Sequence, residues 1–114
     1  MNWAIGLLVL LHLIGFASLF GGLIVQARAS APEVNAAMLH GGLTVLVSGV
    51  ALVVLSRLAA EEVDWVKIAV KLIVTAVVVG LLLVNRRFLS IPRGLWALLT
   101  ALTLANAAIA VLWQ

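Results

Sequence analysis

The sequence contains no cysteine, so disulfide bonds, thiolate metal sites and cysteine nucleophiles are excluded. It has only four acidic residues, and none of them falls within a long apolar segment. Proton-coupled carriers usually need a carboxylate inside the membrane, so this class is disfavoured. A glycine-rich phosphate-binding loop and a His-x-x-x-His pair are also missing.

Charge is scarce, and apolar residues dominate the composition. Hydrophobic residues make up 66% of the 114 residues and charged residues 10%, with a mean hydropathy of +1.31. A soluble domain of this length could not cover so much apolar surface with polar groups. We therefore expect a single domain that has lipid as its solvent. The net charge of +3 comes from a few basic residues between apolar segments, a pattern that sets membrane orientation and does not indicate nucleic-acid binding.

Four apolar segments are each long enough to cross a membrane. A bilayer core about 30 Å thick requires about 20 helical residues, and the segments cover residues 3–27, 36–56, 65–85 and 94–113. They show no alternation of polar and apolar residues, which argues against strands. Tryptophans lie near the segment ends, as in an aromatic belt: Trp3, Trp65, Trp96 and Trp113. We predict an all-α integral membrane protein, an antiparallel up-down bundle of four transmembrane helices that forms one domain over residues 1–114.

The basic residues predict the orientation of this bundle. Loops one and three together carry Arg28, Arg86, Arg87 and Arg93, whereas fewer basic residues lie near loop two. The positive-inside rule then places loops one and three in the cytoplasm and both termini outside it. In that position the four arginines would form a basic rim against anionic lipid head groups. Alternatively, they would hold the carboxylate or phosphate of a ligand that enters from the cytoplasm.

Each segment places a hydrogen-bonding residue at a similar depth. At 1.5 Å per helical residue, His12 lies roughly 14 Å and Lys71 roughly 9 Å from the extracytoplasmic face, and Ser48 and Asn106 lie about 12 Å from it. An ionisable group at such a depth costs on the order of 3 kcal/mol, so it usually faces the interior of a bundle. We predict that His12 and Lys71 line a site there, with Ser48 and Asn106 beside them and Thr75 one turn from Lys71.

The same residues also fit simpler roles. Lys71 can extend along its own stem to the membrane surface, and His12 can stay neutral and link helices through Ser48 or Asn106. His40 is a separate case, because it lies roughly 10–15 Å from the level of His12. The two histidines therefore make a poor axial pair for one haem iron within a monomer, and we expect a structural or interfacial role for His40.

Two glycine pairs, Gly21-Gly22 and Gly41-Gly42, lie at matched depths in neighbouring segments. Small residues let helix backbones approach closely in lipid, and Ala17-xxx-Gly21 and Ala37-xxx-Gly41 have the spacing of such contacts. We expect close packing of the first two helices at this level. Alternatively, the glycines leave room for a flat ligand.

Two motifs resemble the CopD/HemJ-like family of four-helix membrane proteins. Leu11-His12-Leu13-Ile14-Gly15, followed by Gly21-Gly22-Leu23 and Arg28, is similar to the first helix of that family. Val70-Lys71-Leu72-Ile73-Val74 is similar to its lysine-leucine segment. The family includes copper-resistance membrane domains and the HemJ-type protoporphyrinogen oxidase, in which the corresponding histidine and lysine are associated with haem binding and activity. The resemblance implies haem b or a porphyrin as the cofactor, with His12 as the iron ligand and Lys71 as a site residue. We also expect a bacterial plasma membrane as the location.

Three functions remain open from the sequence. In the first, the protein binds haem, porphyrin or another flat ligand: His12 binds the metal, Lys71 supplies charge with Ser48 and Asn106 nearby, and Arg28 holds propionates. In the second, it is a structural or accessory subunit of a membrane complex without a ligand. In the third, it forms a small channel or transporter as a homo-oligomer. We assign no catalytic residue and leave enzymatic activity undecided.

Overall fold

The protein forms four helices, which the computed structural model describes over residues 2–59, 62 and 64–112. They are α1 (Asn2–Ile24), α2 (Ala36–Leu58), α3 (Trp65–Asn85) and α4 (Arg93–Leu112). All four are long and apolar enough to cross a membrane, and the described residues contain no strand. The prediction of an all-α four-helix membrane protein is confirmed. The helix limits differ from the predicted segments by up to three residues, and Trp113 lies outside the described residues.

Helix α1 ends at Ile24, three residues earlier than predicted, because the backbone changes there to narrower turns with hydrogen bonds between residues three apart. The backbone N–H of Gln26 donates to the carbonyl of Leu23 at 3.1 Å, a contact typical of a final narrow turn. The Gln26 side chain donates to the Gly22 carbonyl at 2.9 Å and accepts from the Glu33 N–H at 2.7 Å. One side chain thus satisfies backbone groups of both the helix end and loop one.

Helices α2 and α3 each begin after a residue whose side chain accepts a hydrogen bond from a backbone N–H group of the first turn. Asn35 precedes α2 and accepts from the N–H of Met38 at 2.9 Å. Asp64 precedes α3 and accepts from the N–H of Lys67 at 3.1 Å. These are the residue types favoured at helix N-termini, where the first N–H groups have no partner within the helix.

The helices form an antiparallel ring in which each contacts the next in the chain and α1 also contacts α4. The direction is visible in the α1–α2 pair, where Gly22 faces Met38 and Gly49 faces His12, so the residue number rises on one helix as it falls on the other. Loops one and three therefore lie at one end of the bundle, which we name the closed end. Loop two lies at the other, the open end.

Glycines bring α1 and α2 into close contact in the closed half. A Cβ atom added to Gly41 would overlap the backbone of Leu19 and Gly15, and one added to Gly22 would lie 2.7 Å from Met38 Cγ. Close packing at Gly41 and Gly22 is therefore confirmed. The expected contact of the Ala17-xxx-Gly21 motif with α2 is wrong, because Ala17 is exposed and a Cβ atom on Gly21 would meet nothing within 4 Å. The contact surface of α1 passes instead through glycines 15 and 22, about two helical turns apart.

Hydrogen bonds join loops one and three at the closed end. The Ile91 N–H donates to the Pro32 carbonyl at 2.7 Å. The Arg93 guanidinium donates to the carbonyls of Ala29 and Ala27 at 2.6 and 2.9 Å. Beneath them lies the main apolar core, whose fully buried side chains are Leu23, Met38, Leu82 and Leu99. Trp96 completes this end, as its indole N–H donates to the Leu23 carbonyl at 2.8 Å.

Candidate functional site

A cavity of about 430 Å³ lies between α1, α2 and α3 in the half of the bundle next to the open end. Its walls are mostly apolar and include Leu13, Val53 and Leu72. Polar side chains line it at two levels: Ser56, Asp64 and Lys67 near loop two, and His12, Lys71 and Thr75 deeper in the bundle. The volume falls within the range of about 300–1,000 Å³ that is common for small-molecule sites.

His12 lies on the α1 wall of this cavity, and a residue of α2 forms a hydrogen bond with its imidazole ring. Its Nδ1 atom lies 2.9 Å from the hydroxyl oxygen of Ser48, which is buried. That hydroxyl donates to the carbonyl of Thr44, one turn earlier on α2, at 2.6 Å. Nδ1 is thus bound to α2, and Nε2 has no hydrogen-bond partner among the residues that the structure describes.

Lys71 lies on the α3 wall of the same cavity and is partly buried. Its backbone carbonyl accepts from the Thr75 hydroxyl at 2.8 Å. Within the described part of the chain, its ammonium group makes neither a hydrogen bond nor an ion pair. The structure therefore brings the predicted histidine and lysine to one cavity, from two helices whose backbones are not adjacent in the bundle.

Asn106 reaches this cavity only through Thr75. Its amide nitrogen donates to the Thr75 hydroxyl oxygen at 2.8 Å and so links α4 to α3. The amide oxygen of Asn106 and the hydroxyl of Thr103 are buried without a hydrogen-bond partner among the described residues. The polar layer predicted across four helices is therefore divided into two linked pairs, His12 with Ser48 and Thr75 with Asn106.

The structure separates several predicted residues from the cavity. Arg28 is exposed in loop one at the closed end, so it does not lie beside His12 and Lys71. His40 is exposed on α2 and does not line the cavity. Arg93, predicted to contact lipid head groups, uses its guanidinium to bind loop-one carbonyls and lies 5.0 Å from the centre of the Trp96 ring. Arg86 and Arg87 are exposed, and their contact with anionic lipids stays a prediction.

Sequence reasoning missed the residues near loop two and the glycine beside the imidazole. Asp64, Lys67 and Ser56 line the outer part of the cavity, and a Cβ atom on Gly49 would lie 3.3 Å from His12 Cε1. A usable signal existed for one of them, because Lys67 is four residues before Lys71 and shares its face of the helix. No local signal identifies Gly49, because its role depends on how α2 is rotated against α1.

The described residues contain no group of three or more metal-binding side chains of the histidine, aspartate and glutamate type. No family model matches the chain, and comparisons with curated proteins and with solved structures gave no significant match. The resemblance to the CopD/HemJ-like family therefore stays a prediction. What the cavity can bind follows from its own side chains: apolar walls, one imidazole, two lysine ammonium groups, the Asp64 carboxylate near loop two and two hydroxyl groups.

Proposed function

We propose that this protein binds an amphipathic ligand with an acidic group in the cavity of His12 and Lys71, and that haem b or a related porphyrin is the class to test first. One observation carries the proposal: His12 and Lys71 line one apolar cavity, and neither the imidazole Nε2 nor the Lys71 ammonium has a hydrogen-bond partner among the described residues. Polar and charged groups inside a membrane are costly when they are not paired. A ligand with matching groups would satisfy both.

The imidazole and ammonium groups of this cavity are of the kinds that bind a haem iron and its propionates. Histidine is the common proximal ligand of haem iron, and ligating imidazoles usually make a hydrogen bond through the other ring nitrogen, as His12 does with Ser48. Lys71, with Lys67 one turn away, would hold the propionates through charge-assisted hydrogen bonds. Bound iron would supply redox or gas-binding chemistry, whereas the residues of this chain hold the group, orient it and exclude water.

Hemin titration of the detergent-purified protein tests this proposal. We expect a Soret band that is lost in His12→Ala and kept in His40→Ala, because His40 lies outside the cavity. Lys71→Met should bind hemin about tenfold more weakly, as expected for the loss of one charged hydrogen bond. A protein that stays colourless, or variants at the two histidines with identical spectra, would contradict the proposal.

A structural or accessory subunit without a ligand is the second candidate. It is favoured by the hydrogen bonds that join α1 to α2 at His12 and α3 to α4 at Asn106, since polar contacts of this kind stabilise helix association in lipid. On this view His12→Leu retains the fold and the oligomeric state, and the purified protein shows no hemin binding before or after the substitution. Hemin binding that depends on His12 would rule it out.

A further inference from the structure

We infer that Ser48 is a positioning residue that fixes His12 with its proton on Nδ1, so that the cavity selects ligands offering a metal ion or a hydrogen-bond donor to Nε2. The assignment of the proton is independent of any ligand. The statement about ligand choice rests on the proposed function.

Counting protons on Ser48 gives the assignment. A serine hydroxyl has a single proton to donate. It is directed to backbone carbonyls of α2, that of Thr44 at 2.6 Å and that of Val45 at 3.3 Å. Carbonyl oxygens only accept, so the hydroxyl can act toward His12 only as an acceptor. The His12 nitrogen 2.9 Å away must therefore carry the proton. In a neutral imidazole the other nitrogen, Nε2, then bears a free electron pair.

The packing of the ring directs Nε2 away from α2. A Cβ atom on Gly49 would lie 3.3 Å from Cε1 and 3.8 Å from Nδ1 of His12, so this edge of the ring lies against the α2 backbone. A larger residue at position 49 would push the ring out of this position. Because the imidazole also lines the cavity, Nε2 is the ring nitrogen that remains for a ligand.

The two functional groups then require different partners. Nε2 can accept a proton or bind a metal ion, whereas the Lys71 ammonium can only donate. A ligand with nothing but acceptor atoms, such as a fatty-acid carboxylate or a phosphodiester, would satisfy Lys71 and leave Nε2 unpaired. An acceptor left unpaired in an apolar cavity is unfavourable, so the site favours molecules that combine an acidic group with a metal centre or a hydroxyl donor.

Nitrogen NMR of labelled histidine tests the proton assignment directly. The chain has two histidines, so a His40→Ala background with a histidine-free tag leaves only His12 visible. At about pH 8.5, where histidine is neutral, we expect a protonated Nδ1 and a bare Nε2. In Ser48→Ala the ring should change to the Nε2–H form that free imidazole side chains prefer. Ser56→Ala, a serine that lines the same cavity but does not contact His12, is the matched control and should leave the spectrum unchanged.

The wild-type spectrum decides the point even if Ser48→Ala does not fold, because an Nε2–H ring in the parent protein would overturn the inference. Adding zinc protoporphyrin should shift the Nε2 resonance, and decanoate should leave it in place; a shift with decanoate would contradict the stated ligand choice. We also expect about tenfold weaker hemin binding in Ser48→Ala, since hydrogen-bond partners of ligating histidines typically contribute 10–100-fold. An Nδ1–H ring in a protein that binds no porphyrin would reject the proposed function and retain the role of Ser48.

Discussion

The two ends of this bundle are built from helices of nearly equal hydropathy, yet they pack differently. The mean hydropathy of the four spans lies between 2.0 and 2.5. At the closed end the α1 and α2 backbones touch at Gly41 and hydrogen bonds join the loops. At the open end the same helices, together with α3, surround a cavity of about 430 Å³. The mean hydropathy of a span therefore does not indicate where along its length the helices meet.

Two kinds of residue account for the difference. Lipid is as apolar as leucine, so helices in a membrane associate through close van der Waals contact and polar links. The closed end has both, with glycines at positions 15, 22 and 41 and the guanidinium of Arg93 on loop-one carbonyls. The open end has one glycine contact, at Gly49, and it is made with the tip of the His12 side chain and not with a backbone.

The largest effect should come from adding a methyl group at Gly41, and the same change at Gly49 is the matched comparison. Gly41→Ala places Cβ against the α1 backbone, which cannot move without separating the helices, and we expect a loss of about 3 kcal/mol in the free energy of unfolding. Gly49→Ala meets only a side chain that can rotate, so its cost should stay below about 1 kcal/mol. Unfolding in SDS measures both. Equal losses would show that the two halves are packed alike.

A smaller effect is expected from the arginines that lie over tryptophans at the two ends. Arg93→Ala removes two hydrogen bonds to loop-one carbonyls and a ring contact, and we expect about 2 kcal/mol of destabilisation. Arg57→Ala at the open end removes only a contact 5.7 Å from the centre of the Trp65 ring, worth about 0.5 kcal/mol. Thermal unfolding in detergent should separate the two variants. If Arg57→Ala is the more harmful change, the closed end does not depend on its loop contacts.

The smallest effects are expected from substitutions of two buried threonines, Thr75 beside the cavity and Thr103 on α4. Thr75→Val breaks the link to Asn106 and should destabilise the protein by about 0.6 kcal/mol, the average for such bonds in membranes. Thr103→Val removes a hydroxyl that has no partner in the described structure, and we expect unchanged or slightly higher stability, by up to about 1 kcal/mol. Denaturant titration of the pair tests the difference. A clear loss in Thr103→Val would mean that this hydroxyl is bound.

The sequence was sufficient to predict the four helices and the level of the polar residues. Helical rise is constant, so counting residues placed His12, Ser48 and Lys71 at compatible depths. It could not predict the rotation of each helix about its axis. For this reason both Gly21 and Gly22 were expected to lie near α2, whereas the structure places only Gly22 against it.

Contacts between residues far apart in the chain were even harder to predict from the sequence. Asn106 was expected near His12 by depth, but α4 lies beside α3 and its amide meets Thr75. Arg28 was assigned to the site through the resemblance, and the structure places it at the other end of the bundle. The role of Arg93 depends on carbonyl groups of loop one, more than sixty positions earlier in the chain. No pattern within a single segment records such a contact.

The bonds from Arg93 and Trp96 to carbonyls of residues 23–29 lead us to expect an order of assembly. The α1–α2 hairpin can associate as soon as it has been synthesised, because its glycine contacts are internal to it. Its loop must wait for the start of α4, which follows α3 on the nascent chain. Until α4 inserts, we expect the hairpin to be paired at its glycine contacts while its loop carbonyls remain hydrated. We therefore expect the contacts of α4 with loop one to form after those between α1 and α2.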